Sequence, residues 1–288
     1  MSQPRSPGRP GSARPATAPT ISVITAVRND RSRFAATADS VIGQQGGDFE
    51  WIVVDGGSSD GTLDVIRRHE PWIDVWRSRL DRGVYDAMNH GLALARGDYV
   101  VFMNAGDRFA GPDTLASVVT ELRRAARPVD ILFGGTIRLL PRGERVYRPP
   151  HRGATRLRHG LPACHQATYI RRELHLATPH DLAYRVSSDY YTIARMCRAG
   201  ARTLYLDLPL ALQDFGPQNL SQRETLQRFK DFVSVQRRVL EQGWLAVTAN
   251  TARLLCIHCA YVIVTSACLG RLGVLLLRPW RPRQIATR

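Results

Sequence analysis

Glu50-Trp51-Ile52-Val53-Val54-Asp55-Gly56-Gly57-Ser58-Ser59-Asp60-Gly61-Thr62 joins a nearly unbroken apolar run to a glycine-serine loop. A short, continuous apolar run is what a strand shows when both faces of a parallel sheet are covered. The loop has turn composition, and Asp60 is a plausible cap for a helix through Leu63, Val65 and Ile66. Strand, glycine loop and helix in that order make one half of a βαβ unit.

The same alternation extends both ways. Ile21 to Val27 reads as a strand and Arg31 to Gln45 as a helix with Phe34, Ala38, Val41 and Ile42 on one face. Further on come a short strand near Val75, a helix over Tyr85 to Ala95, the strand Tyr99 to Met103, a helix over Thr114 to Ala126 and a strand over Val129 to Leu139. The segment 138 to 172 differs, with nine arginines, one glutamate and four prolines, and reads as loops and a hairpin. Beyond it are a strand at Ala167 to Arg171, a helix over Asp189 to Ala199, a strand at Thr203 to Leu206 and an amphipathic helix over Gln222 to Gln242. The pattern predicts an open α/β domain on a mostly parallel sheet flanked by helices.

Three segments follow from composition: a basic, proline-rich arm over 1–19 without large apolar residues, read as disordered; an α/β domain over 20–242; and a basic, apolar tail over 243–288. The arm lacks the apolar stretch of a secretory signal. In the tail, Leu254 to Gly270 carries no formal charge, short of the roughly 20 apolar residues of a spanning helix. Six arginines and no acid from Gly243 onward, with Trp280 among them, suit an anionic membrane surface. A helical tail held at that surface, a single span, or a helix packed on the domain are all compatible with this pattern.

With 288 residues, 44% hydrophobic and 23% charged, the chain has a globular composition. Forty basic residues against 25 acidic ones give a net charge of +15, and every basic residue except Lys230 is arginine. Phosphate-bearing ligands, nucleic acid or an anionic membrane would each answer such an excess. No zinc finger, helix-turn-helix or aromatic-basic RNA module is present, so nucleic acid is set aside. The five cysteines form no disulfide framework and fit a reducing cytosol. Cys256 and Cys259, a lone C-x-x-C in an apolar run, read as buried thiols.

Carboxylates at the carboxyl ends of parallel strands carry the first chemical signal, because ligands of open α/β sheets bind there. Asp55 ends one strand, and its carboxylate can accept hydrogen bonds from a uracil or a ribose. A tight strand-to-helix turn explains the same residues. Asn104-Ala105-Gly106-Asp107 follows the strand Tyr99 to Met103 and offers hard oxygen ligands to Mg²⁺ or Mn²⁺, which would bridge a diphosphate. An Asx-type turn is the alternative there.

Taken together with Ile21 to Asp30, Asp81-Arg82-Gly83-Val84-Tyr85-Asp86-Ala87-Met88-Asn89-His90-Gly91 and Ala95-Arg96-Gly97-Asp98, these stretches place four motifs in order over residues 20 to 110. In them the chain resembles the family 2 inverting glycosyltransferases of the GT-A fold, particularly members that assemble bacterial polysaccharides. The resemblance continues more weakly through Cys164-His165-Gln166 and Ser187-Ser188-Asp189-Tyr190 to about residue 221 and does not cover the tail.

The resemblance implies a sugar transferred with inversion from a nucleoside-diphosphate donor, UDP being the expected carrier, to a lipid-linked or polysaccharide acceptor at the cytoplasmic membrane face. It implies that Thr25, Arg28, Asp55, Asp81, Gly83, Asn89 and Asn104 bind the donor, that Asp107 holds Mg²⁺ or Mn²⁺, and that Asp189 is the catalytic base. His165 would contact the diphosphate or stand behind those that do, or be an ordinary loop histidine. The chain departs from the family's acidic motif at Asn104 and Gly106, which weakens its expected hold on a metal. The same departure leaves room for a degenerate GT-A domain that binds a nucleotide sugar or a partner without turnover.

Overall fold

A computed structural model describes residues 20–46, 48–139, 145–151, 154–214 and 224–265. The arm 1–19 and the end of the tail, 266–288, lie outside the described residues.

The first half is built as the alternation requires: β1 (Ile21–Val27), α1 (Arg31–Ile42), β2 (Phe49–Asp55), α2 (Thr62–His69), β3 (Val75–Ser78), α3 (Val84–Leu94) and β4 (Tyr99–Phe102). These four strands are parallel in the order β3-β2-β1-β4. The second half adds β5 (Asp107–Phe109), α4 (Thr114–Arg124), β6 (Ile131–Leu139), β7 (Arg145–Arg148), β8 (Thr168–Arg171), α5 (Arg172–Ala177), α6 (Ser188–Arg198), β9 (Thr203–Asp214), α7 (Thr225–Arg238) and α8 (Trp244–Thr265). The described strands form one nine-stranded sheet that continues β4-β8-β6-β9-β5, with β7 on β6.

The sheet is mixed rather than mostly parallel. β8 lies between β4 and β6 and is antiparallel to both, while β5 and β7 pair antiparallel with β9 and β6. Six strands still point one way, but the reversed β8 divides them. The turnaround comes at β7, which returns antiparallel along β6, and β8 enters the sheet in that same reversed direction.

Strand alternation assigns the core to two layers. Val23, Val27, Trp51 and Val53 pack on Phe34, Ala38, Val41, Ile66 and Leu115. On the other face Ile24, Ile52, Val54 and Phe102 pack on Met88, Leu92, Ile193, Phe232 and Val235. Helices thus cover both sides of the sheet. β9 runs to Asp214, well past the expected end at Leu206, because Pro209 sits opposite Gly135 where the register with β6 shifts. A proline is tolerated within a sheet at such an irregularity. Asp60 lies one residue before the α2 cap position, and its carboxylate accepts the Thr62 N–H at 3.0 Å.

One polar lock joins the amino ends of three central strands. Glu50 is wholly buried, and its carboxylate accepts hydrogen bonds from the Ser22 hydroxyl (2.7 Å), the Arg96 N–H (2.6 Å), the Gly97 N–H (3.2 Å) and the Arg96 guanidinium (2.8 and 3.0 Å). A Cβ on Gly97 would stand 2.7 Å from the Ser22 backbone nitrogen, so only glycine lets the chain enter β4 this close to β1.

The tail helix α8 forms, but among the described residues no helix is long and apolar enough to cross a membrane. Cys256 and Cys259 are exposed on it, not buried as their apolar setting suggests.

Removing one partner from a buried charged pair costs about 3 kcal/mol or more, because the other partner is left uncompensated. Glu50→Gln should therefore lower the melting temperature by roughly 6 to 12 °C for a domain of this size. Gly97→Ala should destabilise through the clash with β1, and differential scanning calorimetry of both variants measures the two effects.

Candidate active site

The carboxyl ends of β1 and β4 open into a cleft of about 1110 Å³. Ala26 and Val27 end β1 there, and the chain after β4 is fastened beside them by the Ala105 N–H donating to the Ala26 carbonyl (3.1 Å) and the Ala26 N–H donating to Asn104 Oδ1 (3.2 Å). From α1, the Thr37 hydroxyl bonds the Asp107 carbonyl (2.8 Å) and receives the Gly106 N–H (2.9 Å). Strand pairing and one threonine thus hold Asp107 at the cleft floor before any ligand arrives.

His165 joins the two carboxylates. Its Nε2 lies 3.6 Å from Asp107 Oδ2 and its Nδ1 lies 3.5 Å from Asp189 Oδ2. The remaining carboxylate oxygens are tied elsewhere: Gln166 Nε2 donates to Asp107 Oδ1 (2.8 Å), and the Tyr190 N–H donates to Asp189 Oδ1 (2.8 Å). The Tyr85 hydroxyl stands 3.1 Å from Asp189 Oδ1 and 2.8 Å from the Val186 carbonyl. Each carboxylate is therefore pinned by one oxygen and turns the other toward the imidazole.

The electrostatics follow from this geometry. Burial opposes charge on His165, but the flanking Asp107 and Asp189 outweigh it and push its pKa up to about 10. Burial also works against the Asp189 anion, yet the hydrogen bond and charge of His165 hold its carboxyl below the ordinary range. Burial, and then the Asp189 charge, keep the Tyr85 hydroxyl well above its usual value, so it remains a donor. The imidazole of His165 is thus held as a cation beside the Asp189 anion.

Several expected residues stand on the cleft wall: Arg28, Asp81, Gly83, Asn104, Asp107, His165 and Asp189. Asp81 accepts the Gly83 N–H (2.9 Å), shaping the entry to α3, and its carboxylate occupies the space a side chain at position 56 would need. A side chain at position 56 would therefore displace the Asp81 carboxylate.

Three others are placed differently. Thr25 shares the α1 side of the sheet with Val23 and Val27, is wholly buried, and accepts the Trp51 indole N–H at 3.0 Å. Asp55 reaches the carboxyl edge of the sheet, but its carboxylate accepts bonds from the Gly57 and Ser58 N–H groups and the Ser58 and Ser78 hydroxyls, which fasten its own loop. Asn89 exchanges hydrogen bonds with the His180 backbone (2.8 and 2.9 Å) and clasps α3 to the segment before α6. None of the three lines the cleft.

The arginine-rich segment is divided as well. Arg138 and Arg148 reach the cleft wall, whereas Arg171 pairs with Asp130 (3.0 Å) and Arg172 donates to the Gly97 carbonyl (3.0 Å). Arg185, unmarked by any motif, adds a further cation to the wall. Tyr85 and Gln166 lie within recognised stretches, but nothing in their spacing shows that they orient carboxylates 104 and 59 residues away.

Among the described residues no group of three or more His, Cys, Asp or Glu side chains could hold a metal ion. One carboxylate oxygen and one imidazole nitrogen facing the same space fit a cation only if a ligand supplies further oxygens, as a diphosphate does.

Comparison with known proteins agrees with this architecture. The family model described as "Glycosyl transferase family 2" matches residues 22–187. A "PGL/p-HBAD biosynthesis glycosyltransferase" of Mycobacterium bovis is 34% identical over 205 residues, covering 69% of this chain and 78% of the relative. Among solved structures, the mannosyltransferase PcManGT from Pyrobaculum calidifontis, in complex with GDP-Man and Mn²⁺, superposes with a TM-score of 0.62 at 19% identity, covering 92% of this chain and 83% of that one. S. aureus TarS 1-349, in complex with UDP, superposes with a TM-score of 0.59 at 15% identity, covering 82% and 70%. The likeness to these structures establishes a GT-A type fold, and the family match over more than half of the sequence identifies the chain as a member of glycosyl transferase family 2.

Proposed function

We propose that this glycosyltransferase moves a sugar from a nucleoside-diphosphate donor, with UDP as the carrier, to a lipid-linked or polysaccharide acceptor at the cytoplasmic membrane face, inverting the anomeric centre. The observation that carries the reading is Asp189: pinned by Tyr85 and Tyr190 through one oxygen, it holds the other in the cleft as an anion. An inverting transfer needs one such carboxylate to take the proton of the acceptor hydroxyl as that oxygen attacks the anomeric carbon opposite the leaving diphosphate. Tyr85 and the Tyr190 N–H fix its direction, and His165 keeps it ionised.

The leaving diphosphate gains negative charge, which Arg28, Arg138, Arg148 and Arg185 on the cleft wall can offset. Mg²⁺ or Mn²⁺, held by Asp107 with oxygens of the donor, would supply further charge neutralisation there. His165 Nε2 could join such a site only after losing its proton, so a proton and a cation compete beside Asp107. The complexes of PcManGT with GDP-Man and Mn²⁺ and of TarS with UDP support a nucleotide-sugar ligand with a divalent cation.

A binding module without turnover is the second reading, favoured by Asn104, whose side-chain oxygen is already engaged by the Ala26 N–H. Asp107 is then the lone carboxylate of its loop.

Asp189→Asn should retain calorimetric binding of UDP but lose sugar transfer by about 100-fold or more. Unchanged transfer would remove Asp189 as the base, and absence of turnover in the parent protein with every nucleotide-sugar donor would favour the binding module. Mn²⁺ should tighten UDP binding in the parent protein and have little effect in Asp107→Asn. Because His165 is raised above its unfolded value of about 6.5, its stabilising contribution is complete below that pH and is lost as pH rises toward 10. Melting temperature should therefore fall more between pH 7 and 10 in the parent protein than in His165→Gln.

A further inference from the structure

We propose that the outward face of α8 is a docking surface for an anionic lipid bilayer, placed so that the bilayer meets the mouth of the cleft. The placement of a lipid-linked acceptor at that mouth rests on the glycosyl-transfer reading. The docking surface itself rests on the helix.

α8 is apolar on the side that packs against the domain and also on the side that faces outward. Its inner side carries Val247, which is buried, Asn250, bonded to Gln236 and Gln242 (3.2 and 3.0 Å), and the half-buried Leu254. Its outer side carries Trp244, Leu245, Ala249, Ala252, Leu255 and Cys259, all exposed at the spacing of one helical face, and the exposed Thr248 among them turns its hydroxyl back to the Trp244 and Leu245 carbonyls. Trp244 is 63% exposed, Leu245 87% and Leu255 50%. These are three of the seven large exposed hydrophobics among the described residues, gathered on a single helix. An apolar patch of this kind marks a surface that something covers.

Charge decides what covers it. Between Trp244 and Thr265 the one formal charge is Arg253, and from Gly243 to Arg288 there are six arginines and no acidic residue. An apolar face with basic flanks is complementary to an anionic bilayer, whose acyl boundary takes the face while its headgroups take the arginines. Two copies of the chain pressed together through the same face would bring like charges together, which opposes association. Trp244 closes the face with its ring over the Arg237 guanidinium, 4.5 Å away, an aromatic beside a cation as at headgroup depth. At the cleft, Leu254 and Cys256 of the same helix form part of the wall. A bilayer lying on α8 would therefore deliver the reactive end of a lipid-linked acceptor beside that wall.

Flotation of the full chain with phosphatidylcholine vesicles, and with vesicles containing 30% phosphatidylglycerol, tests the proposal, alongside a double variant carrying L245E and L255E. Both positions are exposed, so the fold should persist, which calorimetric UDP binding checks independently. The parent protein should float with the anionic vesicles and much less with the neutral ones, and the double variant should partition at least tenfold more weakly with UDP binding unchanged. The proposal is overturned if the parent protein floats with neither composition, if the double variant floats as the parent does, or if the substitutions instead abolish a vesicle-independent dimer seen by light scattering. Failure of the parent protein to float while it binds UDP would remove the docking surface alone. Flotation without UDP binding or sugar turnover would count against the transfer reading alone.

Discussion

A buried carboxylate sets the frame. Glu50 is wholly enclosed, and its two oxygens gather β1 through Ser22, its own strand β2, and the entry to β4 through Arg96 and Gly97. An anion in that position is tolerated only because every direction around it offers a donor, two of them from a guanidinium. Once those three strands are locked at their amino ends, parallel pairing carries the alignment to the other edge. Val27 then lies beside Asp55, and the chain leaving β4 lies beside Ala26. The cleft is thus positioned by a polar contact at the far end of the strands.

At the cleft the organising group is His165, a ring between two aspartate side chains that arise from opposite halves of the sequence. Asp107 opens β5 just after β4, Asp189 comes from the first turn of α6, and β8 follows the short segment that holds the histidine. The reversed direction of β8, which interrupts the parallel sheet, brings that segment to the edge where β4 ends. The irregular half of the sheet is therefore what completes the site. The arginines of the cleft wall suit phosphate, while those around Asp130 belong to the framework.

Much of this was legible in the residues. Continuous apolar runs at Trp51 to Val54 and Tyr99 to Met103, followed by Asp-Gly-Gly-Ser and Asn-Ala-Gly-Asp, specify strands buried on both faces that end in polar loops, and the structure has them there. Asp107, His165 and Asp189 were recognisable from their motifs. β5 and α5 were not, being three and six residues long, too short to show a period. Thr25, Asp55 and Asn89 carry the right chemistry for a ligand but spend it on Trp51, on the Asp55 loop and on His180. A motif records which residue stands at a position, whereas the partner of its polar atoms depends on the chain that packs beside it.

The sequence alone therefore determined the local matters: which of the longer segments are strands and helices, where the polar loops interrupt them, which family motifs the chain carries, and where its arginines cluster. Periodicity, glycine placement and charge are properties of neighbouring residues and survive without a fold. Tertiary structure decided the rest. It reversed β8, set His165 between carboxylates 82 residues apart in sequence, withdrew Asp55 from the cleft and left an apolar side of α8 facing outward. Those outcomes depend on pairing register, burial and competition for donors among distant segments, quantities that exist only when the chain is folded.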